Sequence, residues 1–174
     1  GVGGEGDQKA VAGTVEASPV GVGVGDGWRG VGAIKELADG WILRGTAYQR
    51  DPYGTQTEVY GYDDPDYRGV LAVPAANLVE MARRTNRLGW QMTAHTTGGG
   101  ATDLLLDAYE AADREHSIAG RRFTVTHGNF PNARAIARAK KLGVAFDVQP
   151  AWLHLDAHVM KDVFGPTRIA DFLP

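Results

Sequence analysis

The sequence predicts an α/β chain in which short parallel strands alternate with helices. Three observations carry that prediction. From residue 31 onward, apolar runs and amphipathic stretches alternate at a repeat of roughly 25–35 residues, the pattern of βα units on a parallel sheet. The runs are apolar throughout rather than at every second residue, which suits a sheet covered on both faces. Prolines precede the amphipathic stretches and glycines follow them, as expected of helix starts and stops. About four strands are legible. They make either an open α/β sheet or half of an eight-stranded barrel, which needs about 250 residues.

Element by element, Val31-Gly32-Ala33-Ile34-Lys35 reads as a buried strand ending in a charge. Residues 41–70 contain the turn signals DPYG and DDPDYRG and read as a long loop. Pro74 opens a helix near 75–88 with Leu78, Met81, Ala82 and Leu88 on one face, and Gly89 closes it. Residues 90–95 form the next strand, followed by a Thr-Thr-Gly-Gly-Gly turn and a helix over 101–116. Its Leu104, Leu105, Ala108, Ala111 and Ala112 recur at helical spacing. A third strand covers 123–127. Pro131 starts a third helix, 132–142, that ends at Gly143. A fourth strand, 144–149, stops at Pro150, and 155–163 reads as helical.

Composition narrows the class. The 174 residues contain no cysteine, which excludes a disulfide scaffold, a cysteine nucleophile and a thiolate metal site. With 18 basic and 21 acidic residues, the net charge of −3 carries no basic patch suited to a phosphate backbone, so no nucleic-acid partner is expected. No apolar run is long enough to span a bilayer, and the start has neither the charged nor the apolar part of a signal peptide. A cytoplasmic protein without membrane contact is therefore expected. Eleven of the 24 glycines fall in residues 1–32, too poor in large side chains to build a core. Without GxxxxGK[ST] or a following helix, Gly21, Gly23 and Gly25 do not make a phosphate loop. Residues 1–30 read as a connecting loop and 31–174 as the folded domain.

In parallel α/β folds the chemistry sits at the carboxyl ends of the strands. Three strands end in a notable residue: Lys35, His95 and His127. A single histidine at a strand end is more often a packing residue. Two at equivalent ends of successive strands can converge on one ion, and imidazoles without thiolates suit Zn²⁺, Mn²⁺, Fe²⁺ or Co²⁺. A protonated lysine is a poor ligand. Its carbamate is an oxygen donor able to bridge two ions, and burial favours the neutral amine that carbamylation requires. The plainer reading of Lys35 is a salt bridge to Glu36 or Asp39. His154 and His158, four apart, read as surface or rim residues, and His116 as a helix-end residue. The aromatics of 28–67 read as anchors of a long loop. Arg83, Arg84 and Arg87, and likewise Arg134, Arg138, Lys140 and Lys141, read as solvated helix faces.

Four ordered motifs then add a resemblance. Ile34-Lys35-Glu36-Leu37-Ala38-Asp39-Gly40, with Thr46-Ala47 and Pro52-Tyr53, resembles the lysine strand of the amidohydrolase superfamily, in its N-substituted formamide deformylase-like branch. Gly89-Trp90-Gln91 through His95, with Gly98, Ala101 and Leu106-Asp107-Ala108-Tyr109-Glu110, is similar to that branch's next unit. Arg122 through Gly128, then Leu142-Gly143-Val144 and Gln149-Pro150, resemble the two units after it.

The resemblance covers residues 28 to 174 and implies strands four to seven of a partial (β/α)8 TIM barrel. It implies that Lys35, His95 and His127 are catalytic and metal-binding, with a carbamate on Lys35 and one or two divalent ions, Zn²⁺ foremost and Mn²⁺ or Fe²⁺ next. The implied reaction is hydrolysis of an amide-type C–N bond in a small molecule by metal-activated hydroxide. Gly99 stands where the family has an acidic residue near the second strand's histidine. The family's first-strand His-x-His pair does not occur, and residue 174 is reached before its final aspartate strand. The chain is thus expected to be inactive alone, with its remaining strands supplied by a longer chain or another chain. Homo-oligomerisation through open strand edges is a further expectation. Two alternatives stand beside this reading: a non-catalytic α/β small-molecule-binding module that has lost the metal centre, and an independent hydrolase on a compact open sheet.

Overall fold

The computed structural model describes residues 23–54 and 58–173; the expected loop over 1–30 lies largely outside them. Four strands, β1 (Ile34–Leu37), β2 (Met92–Thr96), β3 (Thr124–His127) and β4 (Ala145–Asp147), form one sheet in the order β1-β2-β3-β4, parallel throughout. Helices α1 (Ala75–Arg87), α2 (Gly99–Glu115) and α3 (Ala133–Leu142) connect successive strands, and α4 (Ala151–Ile169) follows β4. This is the parallel α/β architecture that the alternation predicts, and it is consistent with the partial barrel that the resemblance implies.

Register separates the sheet's two faces. Ile34 pairs with Met92, Glu36 with Ala94, Ala94 with Val125, and Val125 with Phe146. On this outer face, Met92, Ala94 and Val125 are fully buried beneath Leu78 and Ala82 of α1, Leu105, Leu106 and Tyr109 of α2, and Ala135 and Ala139 of α3. Each fully buried large side chain contributes about 1.5–3 kcal/mol relative to its exposed state. The opposite, inner face aligns Lys35 with Thr93, Leu37 with His95, Thr93 with Thr124, and Thr126 with Asp147. Lys35, Leu37, Ala145 and Asp147 are exposed. The expectation of a sheet covered on both faces is corrected. Among the described residues, helices cover only one.

Local chemistry explains the helix limits. Asn132 accepts a hydrogen bond from Ala135 N–H at the start of α3, and Gly143 ends that helix at φ 69°. Asn86 of α1 donates to the Ala112 and His116 carbonyls, tying α1 to the end of α2, where His116 sits as expected. Leu88 is 40% exposed and does not join α1's buried face. The charged helix faces are solvated as expected at Arg87, Arg134, Lys140 and Lys141, with ion pairs between helices added to them. Arg83 and Arg87 pair with Glu115 across α1 and α2, while Arg138 pairs with Asp107 and Glu110 across α2 and α3.

A second apolar cluster lies toward the carboxyl ends of the strands. It joins Ile42, Ala47 and Tyr53 from the segment after β1 to Phe130 after β3 and to Met160, Val163 and Phe164 of α4. Of the loop aromatics, Tyr53, Tyr60 and Tyr67 anchor the long connection, whereas Trp28 is 93% exposed and anchors nothing among the described residues. The connection contains two short 3-10 turns, Ile42–Arg44 and Glu58–Tyr60. The last helix begins four residues before the expected 155 and breaks at Gly165, ahead of Pro166. No helix among the described residues is long and apolar enough to cross a membrane.

Candidate functional site

Neighbouring parallel strands bring the two predicted histidines together. His95, the fourth residue of β2, lies on the inner face beside Leu37 and Thr126. His127 ends β3 opposite Thr96, so strict alternation would send its ring toward the helices. Instead its φ of 76° puts the backbone in the left-handed region, which side chains other than glycine seldom adopt. The alternation breaks there, and the two imidazoles meet edge to face with centroids 4.7 Å apart. Strained backbone of this kind concentrates at functional positions.

Each imidazole has one nitrogen tied to an acceptor oxygen. His95 Nε2 lies 2.8 Å from the Gly40 carbonyl. A carbonyl only accepts, so Nε2 carries the proton and Nδ1 keeps its lone pair. His127 Nδ1 bonds Gln149 Oε1, while Gln149 Nε2 donates to the Asp147 carbonyl at 3.0 Å. That second bond orients the amide, so Nδ1 of His127 donates, and in the neutral ring Nε2 keeps its lone pair. Burial holds His95 below the usual histidine range; the Gly40 bond opposes this, and the nearby His127 and Lys35 reinforce it. Neutral imidazole with its second nitrogen fixed by an oxygen is the form that ligates divalent cations.

Behind Gly40 stands Asp39, which sequence reading considered only as a partner of Lys35. Its carboxylate is buried and accepts from Thr97 N–H at 2.9 Å, Tyr48 N–H at 2.9 Å and Gly98 N–H at 2.7 Å. Burial pushes this carboxyl up to about 7 although those three bonds pull it down. Thr97 Oγ1 also donates to the Gly40 carbonyl at 2.6 Å. Asp39 thus clamps the segment after β1 onto the turn after β2, and the clamp holds the carbonyl that orients His95. The glycines of that turn have a steric reason: a Cβ on Gly98 would lie 2.0 Å from the Tyr48 carbonyl oxygen. Gly99, where the resembled family has an acidic residue, is packed against Arg50 and the Phe130 carbonyl. His95 keeps its bond through Gly40.

Lys35 departs from expectation in two ways. The strand covers Ile34–Leu37 rather than 31–35, so Lys35 does not end it; it pairs with Thr93, roughly 7 Å below the level of His95. Its side chain is exposed, so the burial expected to favour a neutral amine is absent among the described residues. Nor does it bridge to Asp39, whose oxygens are taken by backbone N–H groups, or to Glu36, which accepts from Leu37 N–H. Lys35 shares the inner face with His95, and its charge is felt there.

Indole rings flank the pair. Trp152 stacks on His127 at 4.9 Å, and Trp41 lies 5.8 Å from His95. Beyond them opens a pocket of about 140 Å³ lined by Trp41, Ile42, Leu43, Thr97, Trp152 and Asp156. His154 and His158 are exposed on α4, away from the pair's contacts. The donor chemistry of His95 and His127 fits half of a divalent-cation site. Among the described residues, no three His, Asp or Glu side chains gather closely enough to complete it.

Known proteins share this arrangement of elements. Residues 6–174 match the sequence profile of the amidohydrolase family. The Bacillus subtilis protein YtcJ, named as an amidohydrolase, is 28% identical over 138 residues, covering 79% of this chain and 24% of YtcJ. LONG AFTER FAR-RED 3 of Arabidopsis thaliana is 25% identical over 141 residues, 81% of this chain and 23% of its own length. An uncharacterised metal-dependent hydrolase of Pyrococcus furiosus superposes with a TM-score of 0.71 at 25% identity over 91% of this chain. Its counterpart from Pyrococcus horikoshii has a TM-score of 0.75 at 22% identity over 94%, and each match spans 30% of the solved chain. The chain thus spans about a quarter of the curated relatives it matches.

Proposed function

Because this chain belongs to the amidohydrolase family, we propose that it supplies the central βα units of a metal-dependent hydrolase that cleaves an amide-type C–N bond in a small molecule. One observation carries the reading. His95 and His127, on adjacent strand ends, each have one ring nitrogen held by an oxygen acceptor, which in the neutral ring leaves the lone pair of the other for a cation. Neutral imidazoles suit Zn²⁺ foremost, with Mn²⁺ or Fe²⁺ as the next candidates. A bound divalent ion supplies Lewis acidity toward a carbonyl oxygen and lowers the pKa of water.

The chain's own residues act around that chemistry. His95 and His127 hold the ion from β2 and β3. Lys35 faces the same space from β1, and as a carbamate it would add oxygen donors. The metal-dependent hydrolase name of the Pyrococcus furiosus protein supports the metal. The motif around Lys35 supports the formamide deformylase-like branch. The ligands that complete the site belong to strands outside these residues.

The test is hydrolysis of N-substituted formamides and related amides by the full-length protein. A chelator should abolish turnover, and Zn²⁺, Mn²⁺ or Fe²⁺ should restore it. His95→Gln and His127→Gln should each lower kcat/KM by at least about a hundredfold. Turnover indifferent to chelator and to both substitutions would sink the reading.

A further inference from the structure

Gln149 sits two residues beyond the end of β4, where its amide spans two partners. Its Oε1 meets His127 Nδ1, and its Nε2 donates to the Asp147 carbonyl at 3.0 Å. The second contact decides the first. An amide whose N–H is committed to a carbonyl presents its oxygen on the other side, and that oxygen cannot donate. His127 must then carry its proton on Nδ1. The Trp152 indole stacks on the face of the His127 ring, with centroids 4.9 Å apart and an interplanar angle of 29°.

The setting makes this constraint consequential. His127 adopts φ 76°, so strand alternation does not aim the ring; the left-handed backbone turns it toward His95, and a side-chain partner must set its tautomer. His95, its neighbour at 4.7 Å, is oriented by a backbone carbonyl, which substitution cannot remove. His127 depends on a side chain two residues past the next strand.

We propose that Gln149 is the positioning residue of the site: it fixes His127 as the Nδ1–H tautomer and so presents the Nε2 lone pair to a divalent cation. The cation part rests on the proposed function; the tautomer part does not. Partners that orient a ligating histidine change metal affinity by about 10–100-fold when removed. Gln149→Leu removes both the acceptor and the donor. Gln149→Glu keeps an acceptor oxygen and should preserve the tautomer.

The experiment uses the metal-free full-length protein with ¹⁵N-labelled histidine, His127 being assigned by loss of its signals in His127→Gln. The proposal expects Nδ1–H in the parent protein and in Gln149→Glu, and a mixed or Nε2–H state in Gln149→Leu. Zn²⁺ titration should then show at least about tenfold weaker binding for Gln149→Leu, with most of the loss recovered in Gln149→Glu. An unchanged His127 tautomer in a folded Gln149→Leu protein would overturn it, as would Nε2–H in the parent. If the parent shows Nδ1–H yet binds no Zn²⁺, the metal reading falls while the assignment of Gln149 as the tautomer-setting residue stands.

Discussion

The two faces of the sheet are built from alternate residues of the same four strands, yet they differ in polarity and in helical cover. The outer face presents Met92, Ala94 and Val125, all fully buried under three helices. The inner face presents Lys35, Thr93, Thr126 and Asp147, with a 2.6 Å hydroxyl hydrogen bond between Thr93 and Thr126 and little apolar cover. Stability is thereby concentrated on one side and ligand-type chemistry on the other. His127 is the exception that joins them. Its place in the register belongs to the covered face, and its left-handed backbone returns it to His95. A fold can therefore keep its core independent of its site, provided that the few crossing residues are held firmly.

Substitutions graded across this division should separate the two roles. The largest effect belongs to the covered side. Phe123→Ala, at a residue buried edge to face against Tyr109, should cost about 3–5 kcal/mol in chemical denaturation and leave metal content per folded molecule unchanged. Asp39→Ala, at the seam between the faces, should cost about 2–4 kcal/mol because three backbone N–H groups lose their acceptor. Unlike Phe123→Ala, it should also disturb the His95 ring, readable as a shift of its imidazole NMR signals.

The ion pairs between helices matter less. Arg138 holds the Glu110 carboxyl below its usual range, so this contribution is present above about pH 4.5 and fades as pH falls through the depressed value. Glu110→Gln should cost less than about 1 kcal/mol at neutral pH, less still in high salt, and should flatten the acid limb of the stability profile. Smallest of all, Lys35→Ala should alter stability by no more than about 0.5 kcal/mol, since its side chain is exposed. A larger loss from Lys35→Ala than from Phe123→Ala would invert the division between the faces.

The order of elements was readable because strand and helix periods alternate and prolines and glycines punctuate them. The histidine pair was readable for the same reason, as both residues end apolar runs. Lys35 was misplaced by two residues because an apolar run containing Gly32 looks like strand, whereas pairing starts only at Ile34. Asp39 escaped notice because Asp-Gly after a strand reads as turn chemistry; only the fold brings Thr97 and Gly98 to its oxygens. Gln149 was legible as part of a motif but not as a partner of His127, because that contact depends on how β3 and β4 pair. The ion pairs of Arg83, Arg87 and Arg138 escaped notice for a related reason. Their partners sit on neighbouring helices, a separation of 28 to 32 residues in sequence.

The central claim is that His95 and His127 together hold a divalent ion. Its most direct measurement is the metal content of the full-length protein, by plasma mass spectrometry, beside a His95→Gln, His127→Gln double variant of matching circular dichroism. The account predicts at least one divalent ion per parent chain and its loss from the double variant. Equal metal content in the two proteins, or none in the parent even after Zn²⁺ loading, would contradict it.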